Sequence, residues 1–137
     1  MSIIGITGTG SLFGQGIIKS IKNSSFKSSI LIGMDYFEGT IGSNWVDKNF
    51  ILPDLLDEDI TDSIWLESIQ SIIQENAVEV LFIGVDFELP LFAKYKKYLE
   101  KLTSCIVIVS DEKTIEIADD KYLTSKFLSD NNFNYPL

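Results

Sequence analysis

Ile3-Ile4-Gly5-Ile6-Thr7-Gly8-Thr9-Gly10-Ser11-Leu12-Phe13-Gly14-Gln15-Gly16-Ile17-Ile18 decides the fold. A short apolar run of strand length meets glycines at 8, 10, 14 and 16. Apolar residues then return at Phe13, Ile17, Ile18 and Ile21 with the spacing of one helix face. The pattern is strand, tight glycine-rich turn, helix. Such a unit sets the free N–H groups and the positive dipole end of a helix at the carboxyl end of a buried strand, where backbone donors can hold an anion or a polar ligand. Gly8 and Gly10 fit the dinucleotide pattern G-x-G-x-x-G, but its third place falls on Phe13, with Gly14 and Gly16 arriving late. A bulky residue there is expected to hold the helix off the strand and to keep a pyrophosphate from close approach.

Further along, Ser29 to Met34 is a second buried strand ending in Asp35. That position suits a ribose-binding carboxylate and equally an ordinary strand end. Tyr36 to Asp47 is a loop, and Asn49 to Pro53 an edge strand closed by proline. Asp54, Asp57, Glu58, Asp59 and Asp62 suggest a cation site at first sight, but acids gather in this way around the first turn of a helix. That helix shows Ile64, Trp65, Ile69, Ile72 and Ile73 on one side. Glu79 to Gly84 is the next strand, and Pro90 opens a helix whose apolar side is Leu91, Phe92, Tyr95, Leu99 and Leu102. Cys105 to Val109 is the fifth strand, followed by a short helical turn over Lys113 to Ile117 and a final helix from about Asp120 to Asp130.

Strands alternating with helices call for an α/β fold, a three-layer Rossmann-like parallel sheet with right-handed crossovers and strand order about 3-2-1-4-5. The first and fourth strands are then neighbours at the switch point. Their carboxyl ends place the glycine turn opposite Asp86 and Glu88, and the candidate substrate-binding set is Gly8, Thr9, Gly10, Ser11, Asp86 and Glu88. Backbone donors facing carboxylates suit a zwitterionic or amine-bearing ligand. The plainer alternative is that Glu88 only precedes its helix and binds nothing.

Composition narrows the chemistry. A chain of 137 residues with 45% hydrophobic and 23% charged residues is the size and make-up of one globular domain. It has no histidine, which excludes Ser-His-Asp and Cys-His catalysis and the usual zinc sets, so no catalytic and no metal residue is expected. Its single cysteine, Cys105, lies in an apolar run and is expected to be a buried strand residue. The net charge of −9, with no basic patch except Lys94, Lys96, Lys97 and Lys101 on one helix, argues against nucleic acid. No apolar run is long enough for a membrane span and no signal segment opens the chain, so a cytoplasmic protein is expected, with a homodimer left open.

The last segment adds a resemblance. Asp120-Lys121, Thr124, Phe127-Leu128 and the run from Phe133 to Pro136 resemble the signature that leads into the ATP-grasp fold of carbamoyl phosphate synthase large subunits and related ATP-dependent carboxylate ligases. The strands, Pro53, Val80 to Asp86 and Val107 to Ser110 are similar in order to their Rossmann-like pre-ATP-grasp domain, and Gly8 to Gln15 to their glycine loop, one residue shorter. The resemblance implies a pre-ATP-grasp domain over residues 1–112 and a helical connector over 113–137 into a further ATP-grasp domain or subunit. It implies ATP and Mg²⁺ as cofactors of the whole enzyme, a small carboxylate and an amine as substrates, and Lys121 as the residue that reaches the nucleotide, although a solvated lysine is the plainer reading. Since the lid and the metal-binding carboxylates belong to later domains, the 137 residues are expected to be a truncated piece or a split subunit, inactive alone.

A second family competes. Thr7 to Gly14 is similar to the T-G-x-x-G-x-x-G loop of NAD(P)-dependent short-chain dehydrogenases and nucleotide-sugar epimerases, with Ser11 at the middle glycine, and Tyr122-Leu-Thr-Ser-Lys126 matches their Tyr-x-x-x-Lys pair. That family leaves Asp120-Lys121 and the ending at Pro136 unexplained.

Overall fold

Apolar runs and amphipathic stretches alternate as five strands and five helices in the computed structural model, which describes residues 1–135. The strands are β1 (Ile3–Thr7), β2 (Ile30–Asp35), β3 (Lys48–Ile51), β4 (Val80–Phe82) and β5 (Ile106–Ile108). The helices are α1 (Leu12–Lys22), α2 (Asp62–Glu75), α3 (Leu89–Thr103), α4 (Glu112–Asp119) and α5 (Lys121–Asp130). All strand pairs are parallel and the order is β3-β2-β1-β4-β5, as the sequence predicts. The turn expected over Lys113 to Ile117 is longer, forming α4, and Pro136 lies outside the described residues.

The register sorts the side chains. Leu81 and Val107 are partners across β4 and β5 and are buried on the face covered by α2 and α3, with Trp65, Leu66, Ile69, Ile73, Phe92 and Leu99. Ile4, Ile6 and Leu31 face the other way and pack on Ile18 and Ile21 of α1, with Trp45 and Val46 alongside. This opposite face is only half covered. Phe82, beside Leu12 and Phe13 of α1, shares it with its partner Ile108, and Ile108 and Ile106 are each about half exposed. The α4 and α5 helices pack against one another, α4 rests on α3, and neither buries a residue completely.

Three helix faces differ from the periodic pattern, the α3 face only at Leu102, which is exposed. On α2 the inward set takes Leu66 and leaves Ile64 outside. On α1, Phe13 points into solvent and the inward position belongs to Gly14. The expectation that a bulky third residue holds α1 away from β1 is therefore corrected. Gly14 supplies the close packing instead, a single place later in the chain, and the turn is G-x-G-x-x-x-G. A Cβ added at Gly14 would overlap the carbonyl oxygen of Gly8 and fall 2.8 Å from its carbonyl carbon. Ser11 caps the helix, its hydroxyl accepting from the Gly14 N–H at 2.9 Å, and Thr61, Asp111 and Asp120 cap α2, α4 and α5 in the same way.

Gly14 and Gly16 should respond to alanine with opposite signs. Gly14→Ala forces backbone apart and should cost about 2 kcal/mol or more. A Cβ at Gly16 meets nothing within 4 Å, so Gly16→Ala should gain about 0.5–1 kcal/mol of helix stability. Urea midpoints of the two variants against the parent check this. Equal losses would mean that α1 does not sit against the glycine turn as described.

Candidate functional site

The turn that follows β1 is occupied by a carboxylate of the chain itself. Asp35, at the end of neighbouring β2, is almost fully buried. Its Oδ2 accepts from the Gly10 N–H at 2.7 Å, from the Thr9 hydroxyl at 2.9 Å and from the Thr40 hydroxyl at 2.9 Å. Its Oδ1 accepts from the Tyr36 N–H at 2.8 Å. The donors that a glycine turn would aim at a phosphate thus already face a negative charge, and the Ser11 N–H is returned to the Gly8 carbonyl at 2.9 Å. Gly8 carries a positive φ of 54°, a conformation that glycine adopts without strain.

Beside the turn lies a cleft of about 330 Å³ at the carboxyl ends of β1, β2 and β4, lined by Gly8, Gly10, Ser11, Asp35, Tyr36, Phe37, Thr40, Asp54, Leu56, Val85 and Phe87. This is the topological switch point of the sheet, where α/β folds of this type place their ligands. Tyr36 and Phe87 form one wall, their rings 5.3 Å apart and tilted by 51°.

Of the six expected substrate-binding residues, Gly8, Gly10 and Ser11 line this cleft. Thr9 is fully buried and turned to Asp35. Asp86 and Glu88 do not line it, and the expected wall of these two carboxylates is corrected. Asp86 is exposed and accepts from the N–H of Phe87 in its own 3-10 turn at 2.9 Å. Glu88 is completely buried beneath Tyr36. The carboxylates at the cleft are those of Asp35 and Asp54. Asp54 belongs to the acidic group assigned to the start of α2; the signal that could have placed it here is its position just after β3, the neighbour of β2. Aromatic Tyr36 and Phe37, directly after β2, and Phe87, in the 3-10 turn that follows β4, were the other missed signal.

Lys121 occupies the first position of α5, exposed and outside the cleft. Tyr122 is exposed too, and Lys126 pairs with Asp130 at 2.9 Å one turn on. The Tyr-x-x-x-Lys pair thus lies on a solvent face of α5, not at the glycine turn. Cys105 is buried, and burial followed by the nearby Glu100 pushes its thiol up to about 12, as befits a core residue.

Glu88 ties the site to the core. Trp65 Nε1 donates to the Tyr36 hydroxyl at 3.0 Å, and Tyr36 donates to Glu88 Oε1 at 2.7 Å. On the other side the Gly84 N–H donates to the Thr7 hydroxyl at 3.1 Å, and Thr7 donates to Glu88 Oε2. Burial pushes the Glu88 carboxyl up to about 7, against the pull of the hydrogen bonds from Thr7 and Tyr36. Tyr36 is likewise raised, by its own burial and then by the negative charge of Glu88.

An acid with a raised folded-state value favours the folded chain at low pH. Its contribution is complete below the ordinary 4.5 and falls as pH rises to about 7. The whole fall is roughly 3 kcal/mol at the usual conversion of pKa to free energy. Glu88→Gln cannot ionise, so its stability relative to the parent should improve by that order between pH 4.5 and pH 8, read from urea unfolding at both. A constant gap between the two proteins would show that Glu88 ionises alike in the folded and unfolded chain.

No protein-family model matches the sequence, and no curated protein matches it. Solved structures do. An L-amino acid ligase from Bacillus licheniformis is similar over 100% of this chain and 32% of its own, with a TM-score of 0.69 and 16% identity. The biotin carboxylase domain dimer of Hydrogenobacter thermophilus 2-oxoglutarate carboxylase, solved with ADP, magnesium and bicarbonate, is similar over 92% of this chain and 26% of its own, with a TM-score of 0.62 and 14% identity. The biotin carboxylase subunit of a pyruvate carboxylase gives 95% and 28%, a TM-score of 0.60 and 15% identity. The chain spans about a third of the length of these neighbours or less. The likeness is one of fold, and its bearers are ATP-grasp enzymes: this chain has the architecture that a ligase and two carboxylases of that kind each use for a fraction of their length.

Proposed function

We propose that the chain is the Rossmann-like, substrate-side domain of an ATP-dependent carboxylate–amine ligase similar to carbamoyl phosphate synthase, cytoplasmic and without catalytic activity of its own. The observation that carries this reading is the end-to-end likeness in fold to a ligase three times as long, together with the Asp120-Lys121 start of α5. In such an enzyme ATP activates a carboxylate as an acyl phosphate, which the amine then displaces. The nucleotide and Mg²⁺ would be held chiefly by a partner ATP-grasp domain or subunit. This chain would contribute one wall of the substrate cleft, including Gly8, Gly10 and Ser11, and a lysine at the edge of the nucleotide site.

Lys121 fits that role chemically. It stands exposed at a helix start that Asp120 caps by accepting from the Leu123 N–H at 2.9 Å, and it has no ion pair among the described residues. A mobile ammonium of this kind suits phosphate oxygens. The cleft beside the glycine turn does not suit them, because Asp35 takes the Gly10 N–H and no Lys or Arg lines it. The same geometry counts against the dehydrogenase reading.

Two measurements test the proposal. In a thermal-shift titration of this chain, NADH, NADPH and Mg·ATP at about 1 mM should leave the midpoint unmoved; a ligand at 100 times its Kd would add about 2.7 kcal/mol, several degrees in a domain of this size. In the protein expressed from the native gene with its partner domain or subunit, ADP release should require both a carboxylate and an amine, and Lys121→Ala should slow it at least tenfold. Stabilisation by NADH or NADPH would overturn the reading.

A further inference from the structure

We propose that the cleft at the switch point binds a small ligand with an apolar body and a positively charged amine, Asp54 receiving the amine and Phe37, Leu56 and Phe87 covering the body. The inference rests on the ligase reading only for its meaning there, as the site of the attacking amine. The binding itself belongs to this chain alone.

Charge excludes the ligands that a glycine turn usually attracts. Asp35 and Asp54 line the cleft, and no Lys or Arg lines it. Asp35 is committed to the chain itself, since three donors converge on its buried Oδ2 and the Tyr36 N–H holds its Oδ1. Asp54 has. Its Oδ1 accepts from the Leu56 N–H at 2.9 Å, which fixes the carboxylate at the rim, while its Oδ2 has no partner and the residue no ion pair among the described residues. A phosphate or carboxylate entering here would meet only like charge, whereas an ammonium would find a fixed acceptor.

The apolar half follows from exposure. Phe37 is 71% and Leu56 70% exposed at the mouth, side by side with Phe87 around one cleft. With Val85 and Phe87 they surround the space between the glycine turn and Tyr36. A ligand seated there would take both side chains out of water, and the tilted Tyr36–Phe87 pair offers ring faces to a cation as well. At about 330 Å³ the cleft stands at the small end of ligand sites, the size of a single amino acid or aromatic amine.

Phenethylamine, phenylethanol, phenylacetate and inorganic pyrophosphate serve as probes, titrated into the ¹⁵N-labelled chain. Phenethylamine should saturate, with amide shifts confined to Gly10, Phe37, Thr40, Leu56 and Phe87 and their neighbours. Phenylethanol should bind about tenfold more weakly, and neither anion should bind. Asp54→Asn keeps an oxygen for the Leu56 N–H and so preserves the fold; it should lower phenethylamine affinity to that of the alcohol and leave the alcohol unchanged. Saturation by pyrophosphate or phenylacetate at these amides overturns the proposal. So does the lack of saturable phenethylamine shifts, or an amine affinity that Asp54→Asn does not change. Amine binding without amine-dependent ADP release would sink the ligase reading and leave this one standing; ADP release without amine binding would do the reverse.

Discussion

Backbone lies directly on backbone around the turn after β1, and the rest of the structure is placed by that crowding. Gly14 on α1 presses on the carbonyl of Gly8, Gly42 presses on the carbonyl of Thr9, and Gly84, just after β4, presses on the carbonyl of Thr7. At each of the three a Cβ would overlap a carbonyl oxygen. Helix α1, the loop after β2 and the end of β4 thus converge on three consecutive peptide units, between Thr7 and Gly10. The cleft has hard walls because these segments cannot slide past one another without opening packed backbone.

Two buried carboxyl groups stabilise the arrangement in different ways. Asp35 acts as an internal anion for the glycine turn, which therefore stays ordered with no outside ligand. Glu88 accepts from two directed chains, Trp65 through Tyr36 and Gly84 through Thr7, so that one carboxyl joins the α2–α3 core to the strand ends of β1 and β4. Such networks hold when every member is satisfied, and no buried side-chain polar atom lacks a partner among the described residues. Cleft and core share these residues: Tyr36 is both a wall of the cleft and a donor to Glu88.

Strand order and layer structure were legible because burial on both faces writes continuous apolar runs, and because a glycine turn marks β1. The helix faces were less so. A 3.6-residue period cannot tell Phe13 from Gly14 at the start of α1, since the decision rests on how near the Gly8 carbonyl comes, a tertiary distance. Half of the candidate set, Gly8, Gly10 and Ser11, came from local pattern and lines the cleft. Asp86 and Glu88 stand outside the cleft for one reason: within a 3-10 turn, adjacent positions point to solvent, cleft and core in succession, so Asp86 is exposed, Phe87 lines the cleft and Glu88 is buried. Asp54 was hidden by its acidic neighbours, which charge counting treats alike.

The half-covered sheet face has a consequence for the chain as a colloid. No Asp or Glu occurs before Asp35, so β1 and α1, which border the bare strip of Phe82, Ile106 and Ile108, carry no negative charge. All 20 acidic residues lie later and supply the repulsion that keeps molecules apart. Acidification removes that repulsion while the strip remains, so molecules adhere through it as the net charge approaches zero. Over the same acid range the contribution of Glu88 to the fold grows. The contribution of Glu88 is thus largest in the solutions where the chain is collectively least soluble, and this one carboxyl and the dispersion of the molecules pull in opposite directions.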